Sequence, residues 1–199
     1  MTIEEGISDL AVSRKRVAWG ITGSGDRLAE TIEVMKTVKR RYDGEVDIRA
    51  YLSKAGHTVL THYGLRQGLE ESFSTTVEVD SNTPFLAGQL QLGRFEFLLI
   101  APATSNTVAK ISSSIADSLL SNAAVMALKG FTPVYIMPSD LREGTVTTKL
   151  PNGRNLKLRV RKEDVENVRK LALTDGISIL ESPEDIIEVF EKHFGEDRR

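Results

Sequence analysis

Short apolar runs alternate with amphipathic segments along most of the chain. Residues 17–21 (VAWGI) are an apolar run leading into a glycine turn, the pattern of a buried strand. Leu28, Ile32, Met35 and Val38 then recur at helical spacing and predict a helix over 26–42. Lys36, Lys39, Arg40 and Arg41 load its last turns, where cations suit the helix dipole, and Gly44 breaks it. In 46–52, Val46, Ile48, Ala50 and Leu52 alternate with Asp47, Arg49 and Tyr51, which predicts a second strand. A weaker helical pattern covers 54–63 and a short strand 76–79. Residues 95–101 (FEFLLIA) are the most apolar run and predict the central strand. Helical segments at 105–115 and 117–128 follow, ending at Gly130, and 133–137 (PVYIM) predicts a fifth strand.

This alternation implies right-handed crossovers and a mostly parallel sheet with helices on both faces, an α/β domain. Residues 147–160 contain Pro151-Asn152-Gly153 between strand-like segments, which predicts a β-hairpin. A helix over 162–173, a strand over 177–180 and a helix over 183–194 close the domain, with Pro183 at the first helical position and Ser182 as its cap. Residues 1–14 read as a flexible leader before a single domain at 15–195, and the last residues read as a frayed end with His193 solvated nearby. The first 13 residues carry Glu4, Glu5 and Asp9 and do not read as a signal peptide.

Composition narrows the chemistry. The chain of 199 residues is 40% hydrophobic and 27% charged, as ordinary globular proteins are. It has no cysteine, which removes disulfides, thiolate metal sites and a Cys nucleophile and fits a reducing, cytoplasmic setting. A net charge of -2 gives no global field favouring nucleic acid or an anionic membrane. No apolar run approaches the roughly 18 residues of a membrane span.

Two strand-to-helix turns carry the candidate chemistry. The first is Thr22-Gly23-Ser24-Gly25-Asp26. Its glycines let a ligand approach the backbone, and the following helix offers free N–H groups and a positive dipole end. It is neither a GxGxxG fingerprint, since Leu28 stands at the third glycine position, nor a P-loop. A plain tight turn capped by Asp26 is the alternative. The second turn is Ala101-Pro102-Ala103-Thr104-Ser105-Asn106-Thr107. Ligands bind at that edge of open α/β sheets. A simple hydroxyl turn needs one or two such side chains, whereas four small polar ones stand in a row here. Ser53 at the end of strand two and Ser139 after strand five are further contributors. Together the turns point to a phosphate-bearing ligand. His57 and His62 are five residues apart and do not stack as i, i+4 metal ligands, so no metal site is expected. Trp19 reads as core, and the Lys36 to Arg41 cluster as a helix end.

The run LLIAPATSNTVAKISSSIADSLLSNAAVMALKGFTPVYIMPSD (98–140) resembles the FMN-binding flavoprotein family that includes the homo-oligomeric flavin-containing cysteine decarboxylases. ITGSGD (21–26) is similar to that family's first phosphate turn, and YLSKAG (51–56) to its strand-end serine element. The turn from Trp19 to Gly25 and the stretch 82–104 are most similar to its archaeal members, the archaeoflavoproteins, and to the related dihydromethanopterin reductases. The resemblance implies a Rossmann-like, flavodoxin-like three-layer sandwich with bound FMN. It also implies homotrimers that stack further, with the flavin at subunit interfaces. Carried over residue by residue, it assigns Gly23, Ser24, Ser53, Thr104, Ser105, Asn106 and Thr107 to FMN; Thr22, Gly25, Ala103 and Ser139 complete the expected site.

The departures shape the activity it implies. Decarboxylase members carry a histidine before the central strand, where Gly88 stands here. They also carry a Met-Asn stretch after strand five, where this chain reads Pro138-Ser139-Asp140-Leu141-Arg142. The resemblance therefore implies a redox flavoprotein that takes electrons from a low-potential donor such as ferredoxin and passes them to a protein, an iron–sulfur flavoprotein among them, or to a pterin. The alternatives are a dihydropterin reductase, an FMN-dependent lyase of small substrates, and a binding module without flavin.

Overall fold

The computed structural model describes residues 14–150 and 152–195. Six parallel strands form one sheet: β1 (Lys15–Ile21), β2 (Val46–Leu52), β3 (Ser74–Val77), β4 (Phe97–Ala103), β5 (Val134–Pro138) and β8 (Ile177–Ile179). Their order is β3-β2-β1-β4-β5-β8, the Rossmann-like order whose direction reverses between β1 and β4. The expected α/β architecture is thus present, and β2 has the bounds that its alternation predicts.

Both faces of the sheet are covered. On β1, Val17, Trp19 and Ile21 enter one core and Ala18 the other; on β4, Phe97, Leu99 and Ala101 oppose Leu98, Ile100 and Ala103. Such two-sided burial explains why both strands read as continuous apolar runs. The first core is closed by α1 (Leu28–Arg41), α2 (Lys54–His62), α3 (Arg66–Ser72) and α8 (Asp185–Phe194). The second is closed by α4 (Leu86–Gln91), α5 (Ser105–Ser112), α6 (Leu119–Lys129) and α7 (Lys162–Ala172). Trp19 is fully buried and donates its indole N–H to the Ala101 carbonyl at 2.8 Å.

Several boundaries differ from expectation. Helices α3 and α4 carry too few apolar positions to show a period, with Leu69 the one buried residue of α3. β3 begins at Ser74, two residues before its expected start, because its pairing with β2 sets its bounds. α8 begins at Asp185 and Ser182 does not cap it. Instead the Asp185 carboxylate accepts the N–H groups of Glu181 and Ser182 at 2.7 and 3.1 Å, which holds residues 182–184 in a turn. His193 is also not solvated: its ring stacks on Phe97 at 4.7 Å between centroids and its Nε2 lies 2.9 Å from the Tyr135 hydroxyl. Residues 1–13 of the predicted leader and residues 196–199 lie outside the described residues, as does Pro151 of the hairpin turn.

The hairpin comprises β6 (Gly144–Lys149) and β7 (Asn155–Val160), starting earlier than its sequence pattern suggests. Val146 pairs with Leu158 and Thr148 with Leu156, so these four share one face. Where β7 leads into α7, Arg161 and Asp164 form an ion pair at 2.6 Å.

Candidate functional site

Both candidate turns leave the carboxyl ends of β1 and β4, at the point where the strand order reverses. Thr22 braces one against the other. Its N–H donates to the Pro102 carbonyl at 3.2 Å, its hydroxyl donates to the same carbonyl at 2.8 Å, and its Oγ1 accepts the Thr104 N–H at 2.8 Å. Thr22 is 1% exposed, so this hydroxyl serves the brace and faces no ligand. Ala103 is likewise buried. Thr104 caps α5, its Oγ1 accepting the Thr107 N–H at 3.4 Å.

A third loop joins them. The Ser139 N–H donates to the Ala103 carbonyl at 2.9 Å, and its hydroxyl donates to that of Ser24 at 2.7 Å. Ser105 donates its hydroxyl to the Asp140 carboxylate. Residues 22–26, 103–107 and 139 therefore converge as the sequence suggests. Ser53 lies beside them: its N–H donates to the Ile21 carbonyl at 3.0 Å, and its Oγ accepts the Gly56 N–H at 2.9 Å, capping α2. It does not line the cleft described next.

The turns and the hairpin enclose a cleft of about 230 Å³, bounded by Gly23, Ser24, Gly25, Thr104, Ser105 and Ser139 on the polar side. Tyr63, Val146, Thr148 and Leu158 bound it elsewhere. Within the described chain, the backbone N–H groups of Gly23, Ser24, Gly25, Ser105 and Asn106 meet no acceptor. Those of Ser105 and Asn106 open α5, where the dipole favours negative charge. Val146 and Leu158 remain 40% and 46% exposed, giving the cleft an apolar roof that this chain leaves partly bare. A polar floor rich in free donors beneath an apolar roof suits a ligand with an anionic end and a flat apolar body. Asn106 projects as an exposed side chain at the second turn.

Asp26 also lines the cleft, together with an adjoining space of about 470 Å³ beside Arg27, Leu141, Arg142 and Glu181. Burial pushes its carboxyl above the ordinary carboxylate range; Arg27 opposes this, while Glu30 and Asp140 reinforce it. Asp26 does not cap α1, because Arg27 occupies that position with φ 52°. Sequence reasoning missed Tyr63, which carries no signal of its own. The hairpin over the turns stands where the family resemblance places a clasp across the site. Among the described residues no three His, Asp or Glu side chains are grouped to hold a metal. Nor is any helix among the described residues long and apolar enough to cross a membrane. Lys39, in the basic cluster, donates to the Ser72 carbonyl at the end of α3.

The sequence and the fold are similar to those of known proteins. The chain is 49% identical over 179 residues to an uncharacterized protein of Methanocaldococcus jannaschii, covering 89% of this chain and 95% of that one. It is 32% identical to the dihydromethanopterin reductase (acceptor) of Methanosarcina mazei, covering 90% of this chain and all of that one. The fold superposes with a TM-score of 0.77 on the crystal structure of Burkholderia xenovorans DmrB in complex with FMN, described as a cubic protein cage for redox transfer. That match is 28% identical and covers 93% of this chain and 98% of the other. The model of the Flavoprotein family matches residues 7–194, and the chain belongs to that family.

Proposed function

We propose that this protein is an FMN-dependent oxidoreductase that takes electrons from a low-potential donor such as ferredoxin and passes them to a protein or pterin acceptor. The observation that carries this reading is the set of five acceptor-free N–H groups on Gly23, Ser24, Gly25, Ser105 and Asn106 at the switch point of the sheet. A phosphate satisfies such donors, and an apolar ring system fits beneath Val146 and Leu158. The residues present therefore fit FMN: Gly23, Ser24, Gly25, Thr104, Ser105, Asn106 and Ser139 would hold the phosphate and the polar chain, with Thr22 and Ser53 bracing the turns behind them. FMN itself supplies storage of one or two electrons, and the protein contributes binding, orientation and access.

Two features favour redox chemistry over decarboxylation. Gly88 lies on the exposed face of α4 and offers no side chain for proton transfer. The loop after β5 presents Ser139 and Asp140, both tied to the turns by hydrogen bonds. The bare apolar roof supports self-association, with a second copy completing each pocket; FMN at the interfaces of a homotrimer is the arrangement we favour. Residues 15–195 act as one domain in this reading.

A second reading is favoured by the name of the Methanosarcina mazei relative, a dihydromethanopterin reductase. In that case the adjoining space beside Asp26 admits a dihydropterin.

The test is purification under mild conditions. We expect a yellow protein that releases FMN on denaturation and whose flavin is bleached by reduced ferredoxin. Asn106→Ala, which removes an exposed donor at the second turn, should weaken FMN retention and leave the far-UV circular dichroism intact. A colourless protein that refuses added FMN overturns the proposal.

A further inference from the structure

Three carboxylates border the two spaces beneath the hairpin, and two of them are engaged. Asp140 accepts the Ser105 hydroxyl, and Glu181 accepts the Arg142 guanidinium at 3.0 Å. The Asp26 carboxyl accepts no hydrogen bond from the described residues, although it is partly buried and borders both spaces. It is the last residue of the turn that carries the free N–H groups, and its own N–H is anchored to the Ser24 Oγ at 3.3 Å. A carboxyl held in place by its backbone, short of partners and open to a ligand cleft on two sides is built to exchange a proton with what the cleft binds.

We infer that Asp26 is the catalytic proton donor to an organic acceptor, a heterocycle whose ring C=N bond is reduced; this rests on the dihydropterin reading given above. The ring carbon receives a hydride, two electrons and one proton, from reduced flavin, which is oxidised. The ring nitrogen takes the proton of the Asp26 carboxyl as its O–H bond breaks. The carboxylate is reprotonated from solvent through the open space beside Arg142, and the low-potential donor reduces the flavin again.

The charged groups around Asp26 suit the role. Arg27 on its C-terminal side stabilises the carboxylate once the proton has left. Glu30 one turn along α1 and Asp140 from the loop after β5 restore the proton by repelling that charge. Arg142 and Glu181 neutralise one another across the adjoining space. Burial raises the carboxyl above the ordinary aspartate value of 3.8, which favours the protonated form.

The experiment uses the flavin-loaded full chain, reduced with dithionite and mixed with either of two oxidants. Ferricyanide takes electrons one at a time and needs no proton; a dihydropterin needs one. For Asp26→Asn we expect the ratio of the dihydropterin rate to the ferricyanide rate to fall by about 100- to 10,000-fold, with Asp26→Glu recovering most of it. The wild-type dihydropterin rate should decline as pH rises through the Asp26 titration, and the Asn variant should lack that limb. A readout independent of turnover is the ¹³C carboxyl resonance of Asp26 in the oxidised holoprotein, which should titrate above 3.8. If Asn abolishes flavin retention, the pH profile and the resonance carry the test. Equal ratios in wild type and Asp26→Asn, or a midpoint at or below the ordinary value, overturn the proton-donor role while leaving the reductase reading intact. A wild-type protein that binds FMN, answers ferricyanide and ignores dihydropterins removes the reductase reading and this role with it.

Discussion

Gly23 and Ala55 are packed so closely that a Cβ on Gly23 would stand 2.7 Å from the Cβ of Ala55. The first turn is thus pressed against the start of α2, and the glycine is required by its neighbour as well as by any ligand. Overpacking of this kind costs about 1–3 kcal/mol. Gly23→Ala should lower the midpoint of urea denaturation accordingly, and adding Ala55→Gly should recover most of the loss by removing the obstructing methyl group. A double variant as unstable as the single one would show that the glycine serves something other than this contact.

Thr22 makes a second prediction. Replacing its hydroxyl by a methyl group in Thr22→Val strands the partly buried Thr104 N–H and removes one donor from the buried Pro102 carbonyl. An unsatisfied buried group costs about 1–3 kcal/mol. Because the same bonds hold the two turns in register, the variant should also release flavin faster than wild type. Denaturation monitored by circular dichroism and flavin fluorescence reads both effects.

The third concerns pH. His193 packs among Phe97, Tyr135 and Phe194, and its titration is shifted below the usual 6.5, first by burial and then by Lys192 and Lys15, with Glu96 opposing. The fold therefore prefers the neutral ring, and the unfolded chain binds the proton more readily. The stability this contributes is fully present above 6.5 and is lost as pH falls through the lower folded-state value. His193→Gln should be less stable than wild type at pH 8 and should show a shallower loss of stability between pH 7 and 5. Equal slopes for the two proteins over that interval would refute the assignment.

How much of this was legible in the sequence depends on the source of each feature. β1, β2 and β4 were readable because burial on both faces, or strict alternation, is written directly into residue type. The two turns were readable because small polar and glycine residues cluster after those strands. α3 and α4 were not, because each is held by one or a few tertiary contacts, such as Leu69 of α3 in the first core, and not by a repeating period.

By itself, the sequence determined an alternating α/β chain without cysteine chemistry, two turns rich in glycine and small polar residues, and a hairpin. Each follows from local physics: the period of apolar side chains, the freedom of glycine and the capping power of hydroxyls. Tertiary structure decided which of those groups face the cleft. It buried Thr22 as a brace, spent Ser53 on a helix cap, linked Ser139 to Ser24, and laid the apolar face of the hairpin over the turns. It also left the Asp26 carboxyl open to the cleft, while the nearby donors Ser105 and Arg142 went to Asp140 and Glu181. Hydrogen-bond satisfaction is a property of three-dimensional neighbours, and residue type alone cannot say which donor or acceptor will be left over.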